Sequence, residues 1–418
     1  MMHIRSTTGR RLWFRRPGAL LVTLLGMLLP CAGLSAEPVA AAGAQSGRDL
    51  TALARYADNL AQTIVQRRKV VGLALAITYE DQVLLQRGYG VTRIGSSEQV
   101  DADTVFRLAS LSKAFAGTLA GLLVEEGALR WDSRVIDPYP AFALKRAGAA
   151  QQVTLRDILS HRLGLPFHTY DRDLEANEPY PLLAAKLAEA PIRCDPGDCY
   201  GYQNIAFSLV SDLVFSATGD FFTHQVERRI FHPLEMYSAT YGRDALEASQ
   251  RWARPHVRGS RTWVAVRPKE TYYRVPPAAG VNASAADLAR WMIAQTGGRP
   301  DVLRPELLAD LQRPQISTPS ELRRSGWRGA RVRDADYATG WRVYDYAGRN
   351  LVYHAGAVQG YRAMLGMFPG SRFGIAVLWN CETSAPSGLM PSVLDRYLGL
   401  PSRDWTGLEK APRGHGSR

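Results

Sequence analysis

Phe106-Arg-Leu-Ala-Ser110-Leu-Ser-Lys113-Ala-Phe-Ala-Gly-Thr-Leu-Ala-Gly-Leu-Leu123 sets a serine and a lysine three residues apart at the opening of a nearly all-apolar run. A segment apolar almost all round predicts a buried helix rather than a surface one. Positions i and i+3 share a helix face, so the Ser110 hydroxyl and the Lys113 amine are expected side by side. Burial disfavours the ammonium, and a neutral amine then serves as a base toward a hydroxyl. Free backbone N–H groups at the helix N-terminus suit a developing oxyanion. Ser110 therefore reads as an activated nucleophile. The ordinary alternative, a surface lysine beside an N-capping serine, fits poorly with flanks of Leu, Ala and Phe.

Working outward, residues 49–68 read as an amphipathic helix with Leu50, Leu53, Ala57, Leu60 and Ile64 on one face. Two strand-like runs follow, Val71–Tyr79 and Gln82–Arg87. After the Ser110 helix, which is expected to stop near Gly127, residues 128–335 are rich in helix and loop signals. Thr154 is placed to cap a helix running toward His161, and another helix is expected over Ala206–Ala217. Strands return at Leu351–Tyr353, Tyr361–Phe368 and Phe373–Trp379, with a last helix over Pro391–Leu398. Strands at both ends with helices between them predict an α/β (α+β) architecture: one antiparallel sheet built from both termini, flanked by helices, with a mainly helical insertion. The expected division is a single domain over 49–402, with its α/β part at 49–127 and 336–402 and its helical part at 128–335. A disordered tail is expected over 403–418.

The first thirty-six residues carry Arg5, Arg10, Arg11, Arg15 and Arg16, then the apolar run Ala19–Leu29, then small residues to Ala36. That is the pattern of a secretory signal peptide, followed by a linker over 37–48. The apolar run is too short for a stop-transfer helix, so no stable membrane span is expected after cleavage. The expected location is across the inner membrane, in the periplasm. Formal charge is +12 for the chain and +7 without the segment 1–36, which holds five arginines and no acid. A moderately basic exported protein suits an anionic envelope. The arginines are scattered, without a basic run or interleaved aromatics, which argues against nucleic-acid binding. Nothing in the pattern carries an oligomeric signal.

Cys194, Cys199 and Cys381 remain after cleavage. The first two flank Asp195-Pro-Gly-Asp198, a turn sequence that brings them together. An oxidising compartment favours a disulfide between them, with free thiols or half of a metal site as alternatives. Cys381 would then be a buried free thiol. No further Cys/His pair with zinc-ligand spacing exists, and no metal or cofactor is implied.

Two further elements join Ser110 and Lys113. Tyr202-Gln-Asn204 follows the Cys194–Cys199 loop directly. A phenol near a lysine is expected to exist partly as phenolate and to shuttle a proton, and Asn204 offers a donor and an acceptor. Tyr353-His354-Ala-Gly356-Ala357 lies between two strand-like runs. Gly356 would let a ligand approach the backbone, with the following N–H aimed at it. His354 could donate to a substrate carbonyl or carboxylate, or tune Tyr202.

Together these elements resemble the serine β-lactamase and penicillin-binding protein superfamily, nearest to class C β-lactamases and their esterase, D-aminopeptidase and carboxypeptidase relatives. The resemblance covers most of residues 50–400 and extends to Gly127-Ala-Leu-Arg-Trp-Asp-Ser-Arg-Val, Leu155-Arg-Asp-Ile-Leu-Ser-His-Arg-Leu-Gly-Leu-Pro166, Pro277-Ala-Ala-Gly280 and Leu378-Trp-Asn. It implies a β-lactamase/transpeptidase-like fold and an acyl-enzyme on Ser110, with Lys113 as activating partner and Tyr202 as proton shuttle. Asn204 would bind a substrate amide, and the N–H groups of Ser110 and Ala357 would form the oxyanion hole. His354 holds the position that Lys of Lys-Thr/Ser-Gly usually fills. Histidine lacks a permanent charge, which shifts the expected substrate from carboxylate-bearing β-lactams toward esters or D-amino-acid peptides. The implied partner is a small-molecule or peptidoglycan-derived substrate.

Other hydrolase classes are excluded on motif. Gly-x-Ser-x-Gly, needed for an α/β-hydrolase elbow, and His-Glu-x-x-His, needed for a zinc protease, are both absent. The non-enzymatic alternative is a penicillin-binding or sensing protein that acylates and does not turn over.

Overall fold

The computed structural model describes residues 49–68 and 70–409. The signal peptide expected over 1–36, the linker over 37–48 and the last nine residues lie outside the described residues.

The strands, in chain order, are β1 (Gly72–Tyr79), β2 (Gln82–Gly90), β3 (Phe106–Arg107), β4 (Thr240–Tyr241), β5 (His256–Arg258), β6 (Trp263–Ala265), β7 (Val281–Ala283), β8 (Ile316–Ser317), β9 (Val332–Tyr337), β10 (Arg342–Tyr346), β11 (Arg349–Val358), β12 (Tyr361–Phe368) and β13 (Phe373–Trp379). Eight of them form the main sheet in the order β2-β1-β13-β12-β11-β10-β9-β8. Every pairing in it is antiparallel. The N-terminal and C-terminal strands meet one strand in from its β2 edge, where Leu73 of β1 opposes Trp379 of β13 and Tyr79 opposes Phe373. β1 and β13 are buried on both faces, which explains their unbroken apolar sequences.

Alternation along β1 and β13 feeds two cores. Leu73, Leu75, Ile77, Ile375 and Val377 point to one face, covered by helix α1 (Leu50–Arg68) and the helix Leu389–Leu398. Ala74, Ala76, Ala376 and Leu378 point to the other, covered by helix α2 (Ser112–Glu125), the helix Ala285–Gln295 and the helical region. Small alanines on that second face let the helix Ala285–Gln295 lie close to β1 and β13. Among the described residues no helix is long and apolar enough to cross a membrane.

Three expectations need correction. β8 and β9 belong to the main sheet although they precede residue 336, where the α/β part was expected to resume. Val-Arg-Asp-Ala-Asp-Tyr in β9 hides a strand among charges because only Val332, Ala335 and Tyr337 turn fully inward. Ser110 does not begin the α-helix itself but lies in a 3₁₀ turn, Ala109–Leu111, that runs into α2. The segment 403–409 is docked rather than disordered: the Trp405 indole N–H donates to Asp395 at 2.8 Å, and Thr406 is buried. That hydrogen bond and the burial of the indole offset the chain entropy that a polar tail would keep.

Candidate active site

The turn carrying Ser110 is held from three sides. β3 leads into it, paired through Arg107 to Asn282 of β7. Ala109 adopts φ +50°, a left-handed conformation that costs a non-glycine residue about 1 kcal/mol. Ser112 fixes this bend, its hydroxyl donating to Ala109 O at 2.6 Å and accepting the Val281 N–H at 3.0 Å. The second serine of the motif is thus structural, and Ser110 is left facing a cavity. β11 closes the third side. A Cβ on Gly356 would lie 1.9 Å from Leu108 O and 3.0 Å from Ser110 N. Gly356 is therefore required by the close approach of the turn, rather than by a ligand as the sequence suggested. β10 pairs with β11 only as far as Tyr353, so His354 to Val358 are paired with β12 alone, on the side away from β10. Ala357 is exposed on this stretch.

Lys113 is wholly buried. Its Nζ donates to Asn204 Oδ1 at 2.7 Å and to Ala278 O at 3.1 Å, and stands 4.6 Å from the Tyr202 ring centroid. Burial, aided by the Arg342 charge and opposed by Asp171, pushes its pKa from 10.5 down to about 7. A neutral amine has two hydrogens and a lone pair. With both hydrogens taken by Asn204 and Ala278, the lone pair remains to accept a proton.

Tyr202 is buried, and burial pushes its phenol up to about 12, although a hydrogen bond with Ser110 and the Arg342 charge both act to lower it. The phenol keeps its proton at neutral pH. That corrects the expected partial phenolate and leaves base capacity with Lys113. Asn204 spans Lys113 and Asp171, its Nδ2 donating to Asp171 Oδ2 at 2.8 Å. Only its second amide hydrogen is left for the substrate contact the sequence suggested.

The segment carrying Tyr202 is pinned to the end of helix α3 (Leu155–Leu159), which starts at the expected Thr154 cap with a full capping box. Gly201 N–H donates to His161 O at 2.9 Å and Gln203 N–H to His161 Nδ1 at 3.2 Å. His161 is held neutral by burial and by the neighbouring Lys113 and Arg342 charges, and its ring lies 4.4 Å from that of Tyr202. Cys194 and Cys199 form a disulfide with Cα atoms 6.2 Å apart, and Cys381 is a buried free thiol. Replacing both disulfide cysteines with serine is expected to lower stability by about 2 kcal/mol, read as a lower urea midpoint. Activity should fall with it, because the bridge anchors the chain just before Tyr202.

His354 lies in the cavity wall, but both ring nitrogens are occupied. Nδ1 sits 2.9 Å from Ala355 O, an acceptor, so Nδ1 carries the hydrogen and Nε2 accepts the Tyr337 hydroxyl at 3.1 Å. Burial, Arg342 and Lys113 hold it well below the usual histidine range. The expected donation from His354 to substrate is not what the geometry gives. The positive charge comes instead from residues the sequence reading missed. Arg342 on β10 lies 5.6 Å from the Tyr202 ring centroid and pairs with Glu321 at 3.2 Å. Arg328 and Arg324 converge on the same carboxylate at 3.4 and 3.2 Å. Burial pushes Glu321 up, but the three guanidinium groups outweigh it and hold it below its ordinary value. Three cations around one anion leave this wall net positive.

Ser110, Tyr202, Arg328, Arg342, His354 and Trp379 are among the residues that line one cavity of about 660 Å³, with Lys113 and Asn204 buried behind Tyr202. That size suits a small ligand.

The chain is similar to known proteins in sequence and in fold. Penicillin-binding protein 4 of Amycolatopsis lactamdurans is 30% identical over 348 residues, spanning 79% of this chain and 87% of its own length. An unguisins hydrolase of Aspergillus violaceofuscus is 27% identical over 373 residues, spanning 81% of this chain, which in turn covers only 64% of that hydrolase. Among solved structures, the octameric penicillin-binding protein homologue from Pyrococcus abyssi superposes with a TM-score of 0.73 at 21% identity, over 84% of this chain and 78% of that one. The Beta-lactamase family model matches residues 57–397, and the chain belongs to that family.

Proposed function

We propose that this chain is an exported serine hydrolase working through an acyl-enzyme on Ser110. The observation that carries the reading is the Lys113 amine, its pKa pushed by burial to about 7, standing 4.6 Å from the ring of Tyr202, whose phenol meets the Ser110 hydroxyl. In this mechanism the Lys113 lone pair takes the Ser110 proton as Oγ bonds to the substrate carbonyl carbon, and the carbonyl electron pair moves onto oxygen. The N–H groups of Ser110 and Ala357 hold that oxyanion. Collapse expels the leaving amine or alcohol, which takes its proton from the Tyr202 phenol. The Lys113 ammonium then reprotonates the phenolate, and a water repeats the cycle on the acyl-serine.

Esters, D-amino-acid peptides and β-lactams all fit this chemistry. The net-positive wall favours those carrying a carboxylate. Arg342→Gln should therefore lower kcat/KM for a carboxylate-bearing ester about tenfold relative to a neutral one. The ratio isolates binding, since any change at Lys113 affects both substrates alike.

A second reading is a penicillin-binding sensor without turnover, supported by the similarity to a penicillin-binding protein; similarity to a hydrolase supports turnover. Stopped-flow mixing with p-nitrophenyl acetate and with nitrocefin, followed by mass analysis of the Ser110 peptide, separates them. A burst of one equivalent followed by steady release fits the hydrolase. A burst followed by silence fits the sensor, and no adduct on Ser110 removes both. Periplasmic location is proposed from the N-terminal pattern alone, and fractionation of cells expressing the full chain tests it.

A further inference from the structure

We propose that Asp171, clamped between His168 and Asn204, is a positioning residue that sets the charge state and aim of the Lys113 amine. A continuous hydrogen-bonded chain runs from the cavity to the buried lysine. His168 Nδ1 lies 2.7 Å from Asp171 Oδ2, the same oxygen accepts Asn204 Nδ2 at 2.8 Å, and Asn204 Oδ1 accepts Lys113 Nζ at 2.7 Å. The outer end is open: the His168 side chain is 56% exposed and lines the cavity, while that of Asp171 is 10% exposed. No feature of the mechanism above uses either residue, and the inference rests on that mechanism's assignment of Lys113 as base.

Two observations argue that this is more than loop packing. His168 and Tyr170 both adopt left-handed backbone, with φ of 58° and 61°. The bend brings His168 onto Asp171 three residues later, and strain of this kind persists where the surroundings enforce it. The other carboxylate oxygen of Asp171, Oδ1, is buried without a partner. A carboxylate that is only half satisfied keeps its field for its neighbours.

The groups acting on Lys113 come from several elements. Tyr202 and Asn204 follow the disulfide loop, neutral His161 ends α3, neutral His354 lies on β11, and Arg342 stands on β10. Asp171 opposes the others, raising the Lys113 pKa where burial and Arg342 lower it. Asp171 thus keeps the amine from losing its proton too readily, so that it can both take a proton from Ser110 and return it through Tyr202.

The test is the pH profile of kcat/KM for p-nitrophenyl acetate on the full chain. Asp171→Asn removes the charge yet retains an oxygen for Asn204. It is expected to move the acid limb to lower pH by about one unit, with the alkaline plateau retained. His168→Ala, which takes a hydrogen-bond partner from the carboxylate and leaves its field on Lys113 stronger, should move the limb to higher pH by less. Arg342→Gln, removing the opposing charge, should move it to higher pH. An acid limb that stays put in both the Asp171 and His168 variants overturns the inference, and the His168 variant decides alone if Asp171→Asn does not fold. A wild-type profile with no acid limb near pH 7 would instead remove Lys113 as the base, which is a failure of the underlying mechanism and a separate result.

Discussion

Ser110→Ala is expected to abolish covalent labelling by a fluorescent penicillin or fluorophosphonate and to lower kcat/KM by about a thousandfold or more. The loss should be this large because no neighbouring hydroxyl can substitute. Ser112, two residues on, is fully buried with its oxygen engaged by Ala109 and Val281. The Tyr202 phenol, held up near 12, stays protonated and is a poor nucleophile at neutral pH. Stability should change by less than about 0.5 kcal/mol, since the side chain faces the cavity and the bend depends on Ala109 and Ser112. Persisting label in a folded Ser110→Ala protein would move the chemistry to another residue.

Lys113→Met carries the second large effect. Methionine approximates the length of the lysine stem without a base, so acylation should slow by about a thousandfold. The wild-type enzyme should gain activity as pH rises through about 7, where the amine becomes neutral, and hold it until the Tyr202 phenol begins to ionise near 12. In the methionine variant that acid limb should vanish. Stability gives an independent check. In the folded protein Lys113 releases its proton near 7, whereas in the unfolded chain it keeps it to about 10.5. Between those values the unfolded state binds more protons, so wild-type stability rises with pH across this window, and the burial penalty is fully felt below it. The methionine variant should lose this slope in urea titrations at pH 7, 8 and 9. A slope unchanged by the substitution would mean that the buried amine is not the titrating group.

Much of this site was legible before any coordinates. Ser110, Tyr202 after the cysteine turn and the His354–Gly356 strand meet at one cavity, because each sits in an apolar context that leaves its polar atoms few places to go. β1 and β13 were legible for the same reason, as unbroken apolar runs. What escaped was polar convergence between elements. Arg342 sits in Arg-Val-Tyr-Asp-Tyr, and nothing in that stretch tells that β9 and β11 flank it and set the guanidinium beside Tyr202. His168 falls in a loop and Asp171 opens a helix of only five residues, Asp171–Glu175, both too short to show periodicity, and the left-handed backbone at His168 and Tyr170 lies between them. The 3₁₀ turn at Ser110 escaped because Ala109 violates its own propensity, held there by a serine bond that spacing does not reveal. The occupied nitrogens of His354 depend on Tyr337, a residue of a strand hidden among charges.

The pairing of β1 with β13 bears on when reactivity can arise. Leu73 has no sheet partner on that side until Trp379 has been synthesised, and Gly356 cannot brace the serine turn until β11 is made. Contacts so distant in sequence close late and slowly. A chain still emerging from the ribosome therefore carries Ser110 and Lys113 unassembled, with the lysine hydrated and charged, and is chemically inert. Completion of the last strand is what assembles the Ser110 turn, so the site forms only when the whole sheet has been made.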